Sequence, residues 1–243
     1  MKHIILTRVN VPMRLDPHKY KNTELFKSKQ WNDNRVDMLN RFARCSLAKQ
    51  TCQDFTYITL WGDSYQGGEL PNEIKETVTD NGTPDCQPLN YRALWEDLPG
   101  KKTLNFSDQI AGIVKKHFEP PLIITNLDAD DALHYRYAAL LQAAAKKYEH
   151  LPNFWLDPIR RYGYNVASGK KGVKLKGRTV TAFCSTIEHE ITCIPLRYNH
   201  SYIGTMFSGM KIPELSGVQT INDSNMFCSG VGELAEFDLN DYI

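Results

Sequence analysis

Three aspartates, Asp128, Asp130 and Asp131, follow almost directly on the apolar run from 121 to 125. Two carboxylates at i and i+2 in a turn can converge on one hard divalent cation. Mg²⁺ or Mn²⁺ would take their oxygens together with substrate phosphates. A cation held there would act as a Lewis acid on a diphosphate leaving group. If the apolar run is a strand of a parallel sheet, the cluster lies beyond its carboxyl end, where such sheets bind ligands. A plainer reading competes: Asp is a favoured N-cap, and Asp130 or Asp131 could simply start the helix that follows.

Other residues could join such a site. His200 could complete the cation's ligands from the C-terminal side, since imidazole suits Mn²⁺; the alternative is an ordinary hydrogen-bonded loop histidine. Glu188 is the candidate general base, because a hydroxyl that attacks an electrophilic carbon needs a carboxylate to take its proton. On a strand, Glu190 would share its face, with His189 opposite. Either glutamate could instead sit on a solvated strand edge. Arg35, near the expected start of a helix, could meet phosphate or merely pair with Asp33 or Asp37. Residues 160 to 178 carry seven positive charges and no acid, punctuated by glycines. Lys170, Lys171, Lys174 and Arg178 are therefore candidate phosphate or acceptor contacts. A solvated hairpin is the bland alternative, and a groove for a nucleic-acid backbone is another.

These residues need a scaffold. Residues 3–9 are apolar and rich in strand formers, as are 55–61 and 121–125. Asp33 can cap a helix running to about Gln50, with Val36, Leu39, Ala43 and Leu47 at helical spacing and Asp37–Arg41 as an outer i,i+4 pair. Strand, helix, strand with short joins predicts a parallel pair with a right-handed crossover. Residues 106–118 read as a second helix. A third helix follows the carboxylates, with Leu133, Tyr137, Leu140, Leu141, Ala144 and Tyr148 on one face. Residues 153–156, 180–183 and 191–196 read as further strands. The expected class is α/β, a single domain over 1–243.

Composition narrows the function. The chain has 243 residues, 42% hydrophobic and 23% charged, with a net charge of +1, which disfavours a wholly basic nucleic-acid module. Its six cysteines form no C-x-x-C pair, so a zinc ribbon or thioredoxin-type motif is not expected, and reduced thiols are. No apolar run reaches the ~18–20 residues of a spanning helix, and a cytoplasmic location is expected.

Several segments, in order, resemble the bacterial rhamnosyltransferase family. Thr7-Arg8-Val9-Asn10 is similar to its T-R-x-N opening. Trp31, Arg35, Phe42, Ser46, Gln50 and Phe55 follow its W-x(3)-R…F…S-L-x(2)-Q…F pattern. Residues 125–133, Thr-Asn-Leu-Asp-Ala-Asp-Asp-Ala-Leu, resemble its T-R-L-D-x-D-D-A-L signature, with Asn126 in place of the usual Arg. Ser185-Thr186-Ile187-Glu188 and His200 match more loosely. The resemblance implies a GT-A (nucleotide-diphospho-sugar transferase) fold, a Rossmann-like mixed sheet flanked by helices. Residues 1–133 would form the nucleotide-binding part and 134–243 the acceptor-binding part. It implies a nucleotide-sugar donor near Thr7, Arg8, Asn10, Arg35, Asp63 and Asp128. Asp128, Asp130 and His200 would hold Mn²⁺ or Mg²⁺. The acceptor would be a hydroxyl of a glycan or lipid-linked saccharide, or of a modified DNA base. Nucleotidyl transfer is disfavoured because residues 10–16 contain no glycine.

Overall fold

The computed structural model describes residues 1–9, 29–61, 70, 73–77, 107–173, 181, 183–197, 200–221, 233–234 and 236–243. Strand β1 (Lys2–Arg8) pairs in parallel with β2 (Thr56–Trp61) on one side and with β4 (Leu122–Asn126) on the other; β3 (Glu73–Thr77) extends the parallel set beyond β2. Antiparallel β8 (Ser185–Glu188) lies between β4 and the long β6 (Phe154–Asn165). Along its other edge β6 pairs in parallel with β9 (Gly209–Ile221), which also pairs with the two-residue β5 (Ala132–Leu133). Two antiparallel strands, β7 (Lys171–Val173) and β10 (Glu233–Leu234), bring the mixed sheet to ten strands among the described residues, and both expected halves contribute to it.

Burial on both faces explains the unbroken apolar run Ile4-Ile5-Leu6 in β1. Ile4 and Leu6 pack with Ile58, Leu122 and Ile124 against α3 (Ser107–His117) and α5 (Ile194–Arg197). Ile5 faces the other way, toward a continuous helical run and α4 (Tyr137–Lys147). Central parallel strands buried on both sides lose the polar alternation of an exposed sheet. The helical run comprises α1 (Lys29–Met38), a π-helical stretch (Leu39–Arg44) and α2 (Cys45–Ala48). It brings Leu39, Ala43 and Leu47 to the sheet, and the expected Asp37–Arg41 pair forms at 3.3 Å.

Four local expectations are corrected. The first helix begins at least one turn before Asp33, whose carboxylate accepts from Lys29 at 2.6 Å instead of capping. The third helix begins at Tyr137, because β9 takes Ala132 and Leu133 into the sheet. None of the three aspartates caps it; the side chain of Gln50 accepts from the Ala138 amide at 2.9 Å. Residues 191–196 form no strand, and α5 starts at Ile194. Thr181 and Phe183, expected in a strand, lie in a non-strand segment where Thr181 bonds the buried Asp157. Among the described residues Cys45, Cys52, Cys184 and Cys193 form no disulfide with one another; Cys86 and Cys228 lie outside the described residues.

One buried polar chain crosses the strands. His3 Nε2 meets Thr125 Oγ1 at 2.8 Å, and Thr125 Oγ1 meets Ser185 Oγ at 2.6 Å. Burial drives the His3 pKa down from 6.5 to about 3. The folded state therefore holds a neutral imidazole while the unfolded chain takes a proton below pH 6.5. This contribution to stability is whole above that pH. It is lost as pH falls toward 3, by up to about tenfold in the folding constant per pH unit. Urea unfolding of His3→Gln over that range should show a shallower acid slope than the wild type.

Candidate functional site

Strand order reverses at β1: β2 lies on one side and β4 on the other. Open α/β sheets bind ligands in the crevice outside the carboxyl ends of strands at such a switch point. Here those ends are Arg8, the last residue of β1, with Val9 after it, and Asn126, the last residue of β4, with Leu127 and Asp128 after it. The Leu127 amide donates to Leu6 O at 3.0 Å, and the Thr7 hydroxyl to Leu127 O at 2.7 Å, so the segment after β4 is stitched to β1. Asp131 N donates to Asp128 O at 3.0 Å, closing a turn over Asp128-Ala129-Asp130-Asp131. Ala129 sinks into the core as its anchor.

The three carboxylates have different surroundings. Asp128 is the open one, with 34% of its side chain exposed, and Arg8 approaches it at 3.7 Å. Asp130 is 7% exposed and pairs with Arg35 at 3.1 Å; Arg35 Nε also donates to Val9 O at 3.2 Å. Asp131 is buried and accepts from the Thr220 amide at 3.0 Å. Burial, and then the charges of Asp130 and Asp128, push its pKa well above the usual carboxylate range. Arg35 stands in the last turn of α1, so the expected help from a helix N-terminus is absent. Its function follows from its direction: it reaches across the switch point to the carboxylate turn.

The basic stretch forms the expected hairpin over its described part, β6 to β7, turning at Gly169 with φ +69°. The end next to its turn adjoins the site. Tyr164 is in register with Thr220, whose amide holds Asp131, and the Tyr164 ring lies 6.3 Å from that of Phe42 on the helical run. Lys170 is exposed in the turn, whereas Lys171 donates to Phe237 O at 3.0 Å and lies over its ring.

Thr7, Arg8, Arg35, Asp128 and Asp130 thus meet at one end of the sheet. Thr7 is fully buried and serves to position the turn. Asn10, Asp63, Lys174 and Arg178 lie outside the described residues. His200 opens α6 (His200–Met206), and its side chain is outside what the structure describes. Glu188 and Glu190 require a correction. In the β4–β8 register Glu188 opposes Leu122, at the amino end of β4, six residues before Asp128. At about 3.3 Å per residue that is roughly 20 Å from the carboxylate turn. Glu188 is also fully buried, accepting from the amides of Thr192, Cys193 and Ile194 at 2.7–2.8 Å and from the Thr186 hydroxyl at 2.7 Å. Cys193 takes a positive φ of 54° to complete this ring of donors. Glu190 follows in an exposed bend, so the two do not share a strand face. Glu188→Ala leaves three amides without their acceptor and should cost about 3 kcal/mol or more in chemical denaturation, with Glu188→Gln losing less.

Among the described residues, no three His, Cys, Asp or Glu side chains gather into a preformed metal cage. The donor set nonetheless suits a hard cation that shares its ligands with a diphosphate, which needs only one or two carboxylates from the protein. An orphaned polar atom points the same way: Arg8 Nε is buried without a hydrogen-bond partner, beside the half-exposed Asp128. The arginine–aspartate pairs, Arg8–Asp128 and Arg35–Asp130, were not foreseen from sequence. The nearest signal is that the aspartates would otherwise crowd negative charge at one strand end.

Among curated proteins, none matches this sequence. No helix among the described residues is long and apolar enough to cross a membrane. A family model described as "Putative rhamnosyl transferase" matches residues 5–229, most of the chain and the whole of the switch-point site, and the protein belongs to that family.

Proposed function

We propose that the protein transfers a sugar from a nucleotide-diphosphate donor to a hydroxyl acceptor on a glycan or lipid-linked saccharide, with Mn²⁺ or Mg²⁺ at the carboxylate turn. The observation that carries this reading is the meeting of Arg8, Arg35, Asp128 and Asp130 at the switch point. Family membership implies a glycosyltransferase, hence a sugar donor and an acceptor. The GT-A form of the fold belongs to the same reading. It is supported by the parallel set β3-β2-β1-β4, followed by a single antiparallel strand before β6 and β9.

Asp128 and Asp130 would hold the cation, and His200 is the remaining candidate ligand. A cation held there would supply positive charge to offset what develops on a departing diphosphate. The chain's own residues do the rest. Arg8 offers a guanidinium to the diphosphate oxygens, which planar donors meet in pairs. Arg35, held by Val9 O, fixes Asp130 in the turn. Thr7 and Thr220 fix the turn's two ends through Leu127 O and Asp131.

Removing the metal tests the reading. A panel of nucleotide sugars is incubated with the protein, and released nucleoside diphosphate is measured. Slow release from one nucleotide class is expected with Mn²⁺, and its disappearance with EDTA. Release that EDTA leaves unchanged would contradict the cation's role.

A further inference from the structure

The two arginine–aspartate pairs at the switch point are not equivalent. Arg35 is closed: its guanidinium is 3.1 Å from Asp130, its Nε donates to Val9 O at 3.2 Å, and 13% of its side chain is exposed. Arg8 is open. Its nearest approach to Asp128 is 3.7 Å, beyond a good hydrogen bond, and its Nε is buried with no hydrogen-bond partner. About a quarter of its side chain and a third of that of Asp128 face solvent. A guanidinium has five donors in a fixed fork, suited to paired oxygens of carboxylate or phosphate, and a loose single contact leaves most of that capacity unused.

We infer that Arg8 is the resting counter-ion of Asp128, and that a divalent cation and a diphosphate displace this pairing together: the cation takes Arg8's place on Asp128, and the diphosphate takes Arg8. This rests on the reading of the site as a cation–diphosphate site and adds the order of its assembly. A cation arriving alone must compete with a guanidinium for one carboxylate and stands close to its positive charge. A diphosphate arriving alone meets Asp128's negative charge next to the arginine it needs. Arriving together, each removes the other's obstacle. Coupling of this kind is reciprocal: the factor by which the diphosphate tightens the cation equals the factor by which the cation tightens the diphosphate. Arg35–Asp130 stays fixed throughout as the rigid part of the site.

The test uses Mn²⁺ and inorganic pyrophosphate as probes on the full chain, with wild type, Arg8→Gln and Arg8→Lys. Free Mn²⁺ is read by electron paramagnetic resonance, and pyrophosphate binding by calorimetry with Mn²⁺ present. Arg8→Gln removes the competing charge. It should bind Mn²⁺ alone about tenfold more tightly than wild type, and pyrophosphate with Mn²⁺ at least tenfold more weakly. Arg8→Lys keeps the charge and should leave Mn²⁺ binding near wild type. Melting temperatures close to wild type are expected, because the pair is loose and only partly buried. If Arg8→Gln leaves Mn²⁺ affinity unchanged or weaker, Arg8 is not the cation's competitor and the inference is overturned, whatever happens to pyrophosphate. If none of the three proteins binds Mn²⁺, the cation reading itself falls, and this inference with it.

Discussion

Glu73→Ala should lower the stability of the fold by roughly 3–5 kcal/mol, because it takes from the buried Arg44 the carboxylate that meets its guanidinium with both oxygens. Glu73 on β3 accepts from Arg44 Nε at 2.9 Å and from its second guanidinium nitrogen at 2.6 Å; the two side chains are 0% and 5% exposed. The same carboxylate accepts from the Thr59 hydroxyl at 2.6 Å and from the Leu70 amide at 3.1 Å. Arg44 closes the π-helical stretch, a geometry often found where a helix must redirect a side chain. The pair therefore pins the helical run that carries Arg35 to the edge of the parallel sheet. A loss of this size is a large part of the roughly 5–15 kcal/mol that holds a typical domain folded. Urea unfolding of Glu73→Ala, with the double variant Glu73→Met/Arg44→Leu as control, checks this. The double variant removes both charges and should recover much of the loss. A drop below 1 kcal/mol in the single variant would show that the pair does not anchor the helix.

The second large effect concerns the carboxylate turn, where the two ligand candidates should fail differently. Asp128 is half-exposed and loosely paired, so Asp128→Ala should leave the melting temperature within a few degrees of wild type. If it holds the cation, sugar transfer should fall about 10³-fold, the equivalent of roughly 4 kcal/mol of lost transition-state stabilisation. Asp130 is nearly buried against Arg35, itself 13% exposed. Asp130→Ala should therefore lose both activity and stability, the latter by about 2 kcal/mol or more as Arg35 is stranded. Side-by-side melting curves and initial rates separate the two. An Asp128→Ala enzyme with undiminished transfer would remove Asp128 from the machinery.

Much of the scaffold was legible because its signals were local. The buried runs of β1, β2 and β4 announced themselves by apolar continuity, and the Asp37–Arg41 pair by spacing alone. The site's location followed from a strand end, which sequence can mark. What sequence missed was decided by partners distant in the chain. Leu133 fits the helical stripe, yet β9 takes it into a strand; the helix start is then set by Gln50, 88 residues away from the amide it caps. Residues 191–196 read as a strand from their β-branched residues, but the carboxylate of Glu188 gathers three successive amides and turns the chain into a helix. That same interaction occupies the Glu188 carboxylate with backbone donors at the amino end of β4, away from the carboxylate turn. β9 was not recognised because Pro213 and Glu214 interrupt it at a bulge between two well-paired halves. The pairing of Arg8 with Asp128 needed β1 and β4 to be adjacent, with Leu6 opposite Asn126, which no local pattern states.

The central claim is that a divalent cation and a nucleotide diphosphate meet at Asp128 and Asp130. Calorimetric titration of a panel of nucleoside diphosphates, with and without Mn²⁺, on wild type and Asp128→Ala, tests it most directly. One nucleotide is expected to bind wild type tightly only when Mn²⁺ is present, and the variant to lose this binding while remaining folded. Equal binding to both proteins, or binding indifferent to Mn²⁺, would contradict it and return the carboxylate turn to a purely structural role.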